Sequence, residues 1–192
     1  MTRPAVFLDR DGTLIHERGY LERLEQLELF PWTGDALRLL RRAGFATVVI
    51  TNQSAIGRGI IEEPFLHEVH RELDARLVAS GTAIDAYYFC PHHVDASIER
   101  YRMTCRCRKP GGELIERACR DLDLDASQSF MVGDRWSDVG CGNAAGARSI
   151  LVRSGAPETA APPEGVRPDA ILNNLMEAVG WILRNSSRSS MR

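Results

Sequence analysis

The amino-acid sequence predicts an α/β protein folded as a three-layer sandwich around a central parallel sheet. Short apolar segments alternate with segments of helical periodicity along most of the 192 residues, and this alternation is typical of parallel α/β sheets. Gly, Pro and Asp-Gly sequences separate the segments and favour turns. A hydrophobic content of 44% is enough for one sizeable core. We therefore expect a single domain over residues 1–184, with a disordered Ser- and Arg-rich tail over residues 185–192.

The first half of the chain shows three strands and two helices. The apolar run that begins at Ala5 ends in Asp-Gly, which favours a buried strand opening into a loop. The next segment carries Ala36, Leu37 and Leu40 on helical spacing, and Gly44 closes it as glycine commonly closes a helix. The predicted order is strand 5–9, helix 33–43, strand 45–51, helix 63–79 and strand 84–90.

The second half resumes the alternation after an interruption. The stretch 91–112 is polar, rich in arginine and bears cysteines, so something other than a packed core must order it. The elements predicted after it are helix 113–122, strand 130–134, helix 137–145, strand 148–152, a surface loop 155–168 and a terminal helix 170–183.

Composition and charge exclude several classes of function. The formal net charge is -2, without long charged runs, so the chain shows no footprint for nucleic acid or a membrane surface. The apolar run near the N-terminus is too short for a signal peptide or a membrane span. Five cysteines without a secretory context favour reduced thiols or metal ligands over disulfides. We expect a cytoplasmic, monomeric protein whose partners are small molecules.

Lys109 is the only lysine among 24 basic residues. In a chain that uses arginine nearly everywhere, a position that keeps a compact ammonium favours a chemical role. Chance survival of a surface lysine explains the count equally well, so the count alone leaves both interpretations open.

Polar residues follow the ends of three predicted strands. Asp9 and Asp11 follow the first strand, Thr51 ends the second, and Asp134 and Asp138 follow the fourth. Ligands of parallel α/β sheets bind at this edge, and crowded carboxylates there favour a Mg²⁺ site. Asp9 is then the candidate nucleophile for phosphorus, giving an aspartyl-phosphate, and Asp11 the candidate general acid and base. Thr51 and Lys109 are placed to stabilise charge on the transferring phosphoryl group.

These residues resemble the four motifs of the haloacid dehalogenase superfamily of phosphatases, which has a Rossmann-like fold. Asp9-Arg-Asp11-Gly-Thr13 resembles the first motif and Thr51-Asn52 the second. Arg108-Lys109-Pro110 resembles the third, and Gly133-Asp134 with Asp138 the fourth. A single such motif fits an ordinary solvated turn, but four in order do not. The resemblance implies Mg²⁺ held by Asp9, Asp134 and the Asp11 backbone carbonyl. Asp138 would orient these ligands without binding the metal itself.

The segments 51–59, 88–93 and 105–110 resemble more closely the D-glycero-D-manno-heptose-1,7-bisphosphate 7-phosphatases and the related histidinol-phosphate phosphatases. In that family Cys-x-His and Cys-x-Cys pairs bind a structural zinc, which implies the ligands Cys90, His92, Cys105 and Cys107. Three thiolates and an imidazole suit tetrahedral Zn²⁺, although from the residues alone His93 could replace His92. The zinc would pin the loop over about residues 90–110. Cys119 and Cys141 are interpreted as small apolar fillers.

The segments after Asp11 and after Ser54 are too short for a large cap domain, so short loops must contact the substrate. The resemblance assigns part of this contact to residues 17–20 and to Arg135, a position that is lysine in typical family members. Trp136 either shields the site or packs on the sheet, and packing is the better interpretation. The full predicted substrate-binding set is Glu17, Arg18, Gly19, Tyr20, Thr51, Asn52, Gln53, Ser54, Arg108, Lys109 and Arg135.

The predicted function is therefore that of a Mg²⁺-dependent phosphomonoesterase. The resemblance implies removal of the 7-phosphate of D-glycero-D-manno-heptose 1,7-bisphosphate, in the synthesis of nucleotide-activated heptose for lipopolysaccharide or S-layer glycan. Histidinol phosphate is the alternative substrate. Two further hypotheses are a polynucleotide end phosphatase, which the absent basic stripe disfavours, and a non-catalytic zinc-stabilised binding module, which the intact catalytic residues disfavour.

Overall fold

The computed structural model describes residues 2–155 and 157–186, and its centre is a six-stranded sheet. Every strand pairs in parallel with its neighbours, in the order β3-β2-β1-β4-β5-β6. This order places the first strand in the middle, between β2 and β4. The strands are β1 (Ala5–Leu8), β2 (Ala46–Asn52), β3 (Ala86–Cys90), β4 (Phe130–Gly133), β5 (Arg148–Val152) and β6 (Ala170–Leu172).

Helices cover both faces of this sheet. Helices α1, α3 and α6 pack on one face, and α4 and α5 on the other. Three single turns of 3-10 helix, at Leu24–Gln26, Glu99–Tyr101 and Ala126–Gln128, lie in the connections. The α-helices are α1 (Thr33–Arg42), α2 (Ser54–Gly57), α3 (Glu63–Ala79), α4 (Glu113–Leu122), α5 (Trp136–Ala144) and α6 (Leu175–Ser186).

The central strand shows why the sandwich has two cores. Val6 and Leu8 face the layer of α1, α3 and α6, whereas Ala5 and Phe7 face the layer of α4 and α5. Side chains alternate between the faces of a strand, so a strand buried on both faces is apolar throughout. The predicted three-layer α/β sandwich with a parallel sheet is therefore confirmed.

The sequence analysis was wrong about the C-terminal region, where it predicted a helix from residue 170. Residues 170–172 instead form the edge strand β6, and the helix starts at Leu175. Asn174 sets that start, because its side-chain Oδ1 accepts from the amide of Glu177 at 3.0 Å. Helix α6 continues to Ser186, so residues 185 and 186 of the predicted tail are helical. The rest of that tail lies outside the described residues.

Within residues 2–155 and 157–186 there is no separate cap domain over the sheet. The connection from β1 to α1 carries one 3-10 turn, and the connection from β2 to α3 carries only the short helix α2. The carboxyl edge of the sheet therefore stays open beside the ends of β1, β2 and β4.

Among residues 2–155 and 157–186, no helix combines the length and apolarity needed to cross a membrane.

Two leucines two residues apart on α1 provide a test of this packing. Leu37 is fully buried in the core, whereas Leu39 is 38% exposed. We expect Leu37→Ala to lower the free energy of unfolding by about 2–5 kcal/mol, because it leaves a cavity among close-packed side chains. Leu39→Ala is the matched control and should cost less than about 1 kcal/mol. Urea unfolding measures both, and equal losses would contradict the predicted orientation of α1.

Candidate active site

A cleft of about 390 Å³ opens at the carboxyl ends of β1, β2 and β4. These strands are adjacent, so residues far apart in the chain meet at one edge of the sheet. Most of the predicted site residues line this cleft. The lining comprises Asp9, Arg10, Asp11, Glu17, Gly19, Tyr20, Leu21, Thr51, Asn52, Gln53, Ser54, Ala55, Lys109, Asp134, Arg135, Ser137 and Asp138.

The buried ammonium of Lys109 joins two carboxylates at the bottom of the cleft. Its Nζ lies 2.6 Å from Asp9 Oδ1 and 2.6 Å from Asp138 Oδ1, and it donates to the Ile50 carbonyl at 2.9 Å. Burial alone would lower the pKa of Lys109, but Asp138 and Asp9 outweigh it and raise that pKa above its ordinary value. The side chain is therefore a fixed cation. Among the described residues, the sole lysine lies beside the candidate nucleophile rather than on the surface.

Asn52 holds the backbone of Lys109 against the second strand. The Asn52 side chain accepts from the Lys109 amide at 3.0 Å and donates to the Lys109 carbonyl at 3.2 Å. This pair of hydrogen bonds resembles one rung of a sheet ladder, although Lys109 belongs to a loop. The second and third motifs are therefore attached to each other by their own residues.

Asp134 has the chemistry of a metal ligand. Both carboxylate oxygens are buried without a hydrogen-bond partner among the described residues. Arg135 Nε lies 3.4 Å from Oδ2, which makes an ion pair but not a hydrogen bond. Burial raises the pKa of Asp134 to about 8, and the charges of Asp9 and Asp138 contribute. Burial also raises the pKa of Asp9 to about 7, although Lys109 opposes that rise. Two buried, partnerless oxygens and two raised pKa values are what a carboxylate site for a divalent cation shows before the cation is added.

The walls around Asp134 are backbone. A Cβ atom placed on Gly155 would lie 1.9 Å from Asp134 Oδ2, and one on Gly12 would lie 2.5 Å from it. Ser154 Oγ donates to the Gly12 carbonyl at 2.7 Å and so ties these two walls together. Only glycine allows the chain to approach the carboxylate this closely.

Asp138 is also close enough to Asp9 and Asp134 to share a cation with them. Its oxygens are already used: Oδ1 faces Lys109, and Oδ2 accepts from the Arg135 amide at 2.9 Å. These contacts favour Asp9 and Asp134 as the ligands and leave Asp138 the orienting role that the sequence analysis gave it. Hard oxygen ligands of this kind suit Mg²⁺.

The Asp11 side chain lies apart from this cluster. Arg10 donates to it twice, from Nε to Oδ2 and from Nη2 to Oδ1, both at 3.1 Å. Gln53 Nε2 donates to Asp11 Oδ2 at 3.1 Å and to the Thr51 hydroxyl at 2.8 Å. The candidate acid and the candidate phosphate-binding hydroxyl are therefore linked through Gln53. Arg10 was absent from the predicted set, and its place between the two motif aspartates was the one available signal.

Two predicted substrate-binding residues do not line the cleft. Arg18 pairs with Glu28 at the surface, and Arg108 donates to the His92 carbonyl at 3.0 Å. Glu17 and Tyr20 do line the cleft, and Arg135 reaches over it with Nη2 at 3.8 Å from Glu17 Oε2. The lining residues that the sequence analysis missed are Arg10, Leu21, Ala55 and Ser137.

Trp136 does not shield the cleft. Its indole Nε1 donates to the Ala160 carbonyl at 2.8 Å, and its ring lines a separate depression beside the end of β5. The packing interpretation of Trp136 agrees with this position.

A cluster of three thiols and one imidazole lies where β3 meets the long loop before α4. The Sγ atom of Cys107 lies 3.2 Å from those of Cys90 and Cys105, and His92 Nδ1 lies 3.3 Å from Cys107 Sγ. The four ligand atoms all lie within 4.8 Å of one another. Three sulfurs and one nitrogen this close together fit one tetrahedral Zn²⁺. Burial raises the pKa of Cys107 to about 11, so the thiolates that zinc requires need the cation itself to stabilise them.

The structure distinguishes the two adjacent histidines. His93 points away from the cluster of three thiols and one imidazole (the sulfur cluster). Its Nδ1 lies 3.3 Å from Arg58 Nη2 and accepts from the Asp95 amide at 3.0 Å. His92 is thus the histidine that faces the thiols. Cys141 is buried in the core and Cys119 packs against it, in agreement with their interpretation as apolar fillers.

Comparisons with known proteins agree with this arrangement. The model of the HAD-hydrolase-like family matches residues 106–178. D-glycero-beta-D-manno-heptose-1,7-bisphosphate 7-phosphatase of Yersinia pestis is 39% identical over 176 residues, covering 91% of this chain and 92% of that protein. The Escherichia coli K12 protein of the same name is 38% identical over 175 residues, covering 91% of both chains.

Solved structures show the same fold. The crystal structure of D,D-heptose 1,7-bisphosphate phosphatase from B. bronchiseptica, complexed with magnesium and phosphate, matches with a TM-score of 0.79 and 26% identity. The match covers 94% of this chain and 98% of that one. A HAD-like phosphatase from Mesorhizobium loti matches with a TM-score of 0.84 and 28% identity, covering 97% and 87% of the two chains.

The raised pKa values predict how stability depends on pH without Mg²⁺. Asp9 and Asp134 titrate near 7 and 8 in the folded protein but near 3.8 as ordinary aspartates, so the folded state holds the extra protons. The free energy of unfolding should therefore fall as the pH rises from about 4 to about 8. Asp134→Asn removes one of the two titrating groups, so its free energy of unfolding should fall less steeply with pH. Relative to the wild type, that free energy should increase by on the order of 2 kcal/mol between pH values of about 5 and about 8.

Urea unfolding in Mg²⁺-free buffer measures that slope. Asp121→Asn, at a side chain 48% exposed, is the control and should keep the wild-type slope. Added Mg²⁺ should stabilise the wild type at the higher pH and have a smaller effect on Asp134→Asn. An unchanged slope in Asp134→Asn would contradict the burial of an uncompensated carboxylate.

The two neighbouring histidines allow a matched test of the zinc site. Wild-type protein purified without chelator should carry about one zinc ion per chain by elemental analysis. His92→Ala removes a ligand and should lower the zinc content well below that of the wild type. His93→Ala should keep it, because His93 faces Arg58 rather than the thiols. Equal zinc contents in the two variants would rule out the proposed ligand set.

Proposed function

Because this chain belongs to the HAD-like hydrolases, in the family of the heptose-1,7-bisphosphate 7-phosphatases, we propose that it removes the 7-phosphate of D-glycero-D-manno-heptose 1,7-bisphosphate. The chain is a phosphoric monoester hydrolase. The observation that carries the choice of substrate is identity of 38–39% to relatives of that name over 91% of the chain. Their names specify the β anomer, and we extend that preference to this chain.

The cleft supports the binding of the reacting phosphate. Lys109 places a fixed positive charge beside Asp9, and the buried Thr51 hydroxyl stands at the end of the neighbouring strand. Thr51 Oγ1 accepts from Gln53, so its own hydrogen is free to be donated to a phosphate oxygen. An ammonium and a hydroxyl held rigidly in a buried site stabilise the charge of a phosphoryl group better than water does.

In the first step, an Asp9 carboxylate oxygen attacks phosphorus as the bond from phosphorus to the sugar oxygen breaks. Asp11 donates its proton to the departing oxygen, so the sugar leaves as an alcohol and Asp9 carries the phosphoryl group. In the second step, the resulting Asp11 carboxylate takes a proton from water while the water oxygen attacks phosphorus. The bond from Asp9 to phosphorus breaks, releasing inorganic phosphate, and both aspartates return to their starting states.

Asp9 and Asp134, with the Asp11 backbone carbonyl, are the proposed ligands of Mg²⁺. When bound, Mg²⁺ supplies charge neutralisation to the two carboxylates and to the phosphate. Lys109 pairs with both Asp9 and Asp138, and we propose that these ion pairs orient Asp9 with or without Mg²⁺.

The thiol and imidazole cluster is the proposed site of a structural zinc. Cys107 stands only two residues before Lys109, so a zinc ion there would anchor the loop that carries the ammonium. Within this loop, Tyr101 packs against the small cluster of α2 and α3, but Lys109 lies beyond that contact. Zinc binding would therefore contribute to the position of Lys109 without taking part in the chemistry.

The rim of the cleft supports recognition of a polar, doubly charged sugar. The Arg135 side chain is 43% exposed and lies 3.8 Å from Glu17 Oε2, and Glu17 and Tyr20 line the cleft with it. A cation at the rim suits a second phosphate, and a carboxylate and a phenol suit sugar hydroxyls. We propose these three residues as contacts of the part of the substrate that does not react.

The proposed chemistry and substrate can be tested in one assay. Phosphate release with Mg²⁺ is compared, as kcat/KM, for both anomers of heptose 1,7-bisphosphate, histidinol phosphate, fructose 1,6-bisphosphate and a 3′-phosphorylated oligonucleotide. We expect the β anomer of the heptose to be strongly preferred. Asp9→Asn should abolish turnover of every compound, because an amide is not a nucleophile for phosphorus.

Asp95→Asn, at an exposed side chain, is the matched control for Asp9→Asn and should keep wild-type activity. A preference for histidinol phosphate would replace the substrate proposal and leave the chemistry intact. Turnover by Asp9→Asn at the wild-type rate would refute the aspartyl-phosphate mechanism.

A further inference from the structure

Arg10 occupies a turn that its own backbone organises. Its carbonyl accepts from the amides of Leu14 and Ile15 at 2.9 and 3.1 Å, and the amide of Gly12 donates to the Ile15 carbonyl at 2.8 Å. The chain between Asp9 and Ile15 is thus folded back around Arg10. This turn fixes the direction in which the Arg10 side chain leaves the backbone.

The Arg10 side chain is buried and has one acidic partner. The residue is 2% exposed, and its guanidinium approaches the Asp11 carboxylate to 2.9 Å. Among the described residues, Asp11 is the only hydrogen-bond acceptor of the Arg10 side chain. A permanent charge this deeply buried needs a partner, and here Nε contacts Oδ2 while Nη2 lies between both oxygens, 2.9 Å from Oδ2 and 3.1 Å from Oδ1. Arg10 therefore fixes the orientation of the carboxylate as well as balancing its charge.

Two stacked rings lie within electrostatic range of Arg10. His70 of α3 is buried and stacks on the Tyr87 ring of β3, with ring centroids 4.3 Å apart, and Tyr87 donates to Asp74 at 2.6 Å. Burial and the charge of Arg10 lower the pKa of His70 to about 3, so the imidazole carries no charge that would repel the guanidinium. Arg10 Nη1 has no hydrogen-bond partner among the described residues, so nothing on this side draws the guanidinium away from Asp11.

The two Asp11 oxygens are loaded unequally. Oδ2 accepts from Arg10 Nε and from Gln53 Nε2, whereas Oδ1 accepts only from Arg10 Nη2. A carboxylate oxygen accepts two hydrogen bonds readily, so Oδ1 has the remaining capacity. Oδ1 is therefore the oxygen that can carry a proton while the other contacts stay in place.

We propose that Arg10 is a positioning residue for the general acid, holding the Asp11 carboxyl so that Oδ1 delivers its proton to the departing sugar oxygen. The inference rests on the proposed function, in which Asp11 is that acid. Although Arg10 lines the cleft, its side-chain hydrogen bonds go to Asp11, and we assign it a role through that carboxyl only. Its contribution is therefore confined to substrates whose leaving group needs a proton.

Two leaving groups separate this role from a general structural one. Heptose 1,7-bisphosphate releases a poorly stabilised alkoxide that needs the proton, whereas p-nitrophenyl phosphate releases a stable phenolate that does not. We expect Arg10→Gln to lower kcat/KM about 10- to 100-fold for the sugar and less than about threefold for the aryl phosphate. The ratio kcat/KM is chosen because it reports the steps up to departure of the leaving group.

A double-mutant cycle with Asp11→Asn tests whether Arg10 acts through Asp11. Asp11→Asn alone should lower kcat/KM for the sugar by at least about 100-fold, and adding Arg10→Gln should change it by less than about twofold. A further loss in the double variant, or equal losses on both substrates in Arg10→Gln, would overturn the role of Arg10. Unchanged sugar turnover in Asp11→Asn would instead refute the proposed general acid, and so separates the two failures.

Two further variants keep the experiment decisive. If circular dichroism shows that Arg10→Gln does not fold, Arg10→Lys replaces it throughout, since lysine keeps the charge but lacks the paired N–H groups. Arg148→Gln is the matched control, because Arg148 also pairs with an aspartate, Asp169 at 3.2 Å, away from the cleft. It should change kcat/KM by less than about twofold on either substrate.

Discussion

The contact on which the site depends is the buried ion pair between Lys109 and Asp9. The two residues are 100 positions apart in the chain, yet Nζ and Oδ1 lie 2.6 Å apart. Lys109 pairs with Asp9 and Asp138, and Arg135 lies 3.4 Å from Asp134, so three neighbouring carboxylates share two cations and an excess negative charge remains. Removing such charges from water is costly unless a cation compensates them. Such a cluster suits a divalent cation, and it is destabilising to the fold while its charge is uncompensated.

The parallel sheet makes this contact possible by bringing the ends of distant strands together. Strands β1, β2 and β4 are adjacent and end at the same edge, so each needs to contribute only the residues that follow its last paired position. The third motif is the exception, because Lys109 belongs to a loop rather than to a strand. Asn52 secures this loop on one side and the sulfur cluster on the other. The Asn52 hydrogen bonds and the sulfur cluster thus help to position this loop, as core packing positions the strands.

The sequence predicted most of the architecture because strands buried on both faces and amphipathic helices leave clear periodic patterns. It missed β6 because three residues are too few to show a period, and only two residues separate them from the apolar start of α6. The Asn173-Asn174 pair was a capping signal that would have separated them. The cleft followed from the motifs, but side-chain directions did not: nothing in the residue order shows that Arg18 pairs with Glu28 or that Arg108 turns to His92. Arg10 was not predicted because nearly all basic residues of this chain are arginine, so one arginine between the two aspartates carries little information.

The glycine walls around Asp134 have a consequence for how this protein can vary. Gly12 and Gly155 lie on different loops, and each presents a bare Cα to the same carboxylate oxygen. Every substitution of glycine by a standard residue adds at least one carbon at that point, which must displace either the other wall or the Asp134 carboxylate. These two positions are therefore closed to neutral drift, although neither carries a functional group. A survey of natural variation that scored only reactive side chains would overlook them.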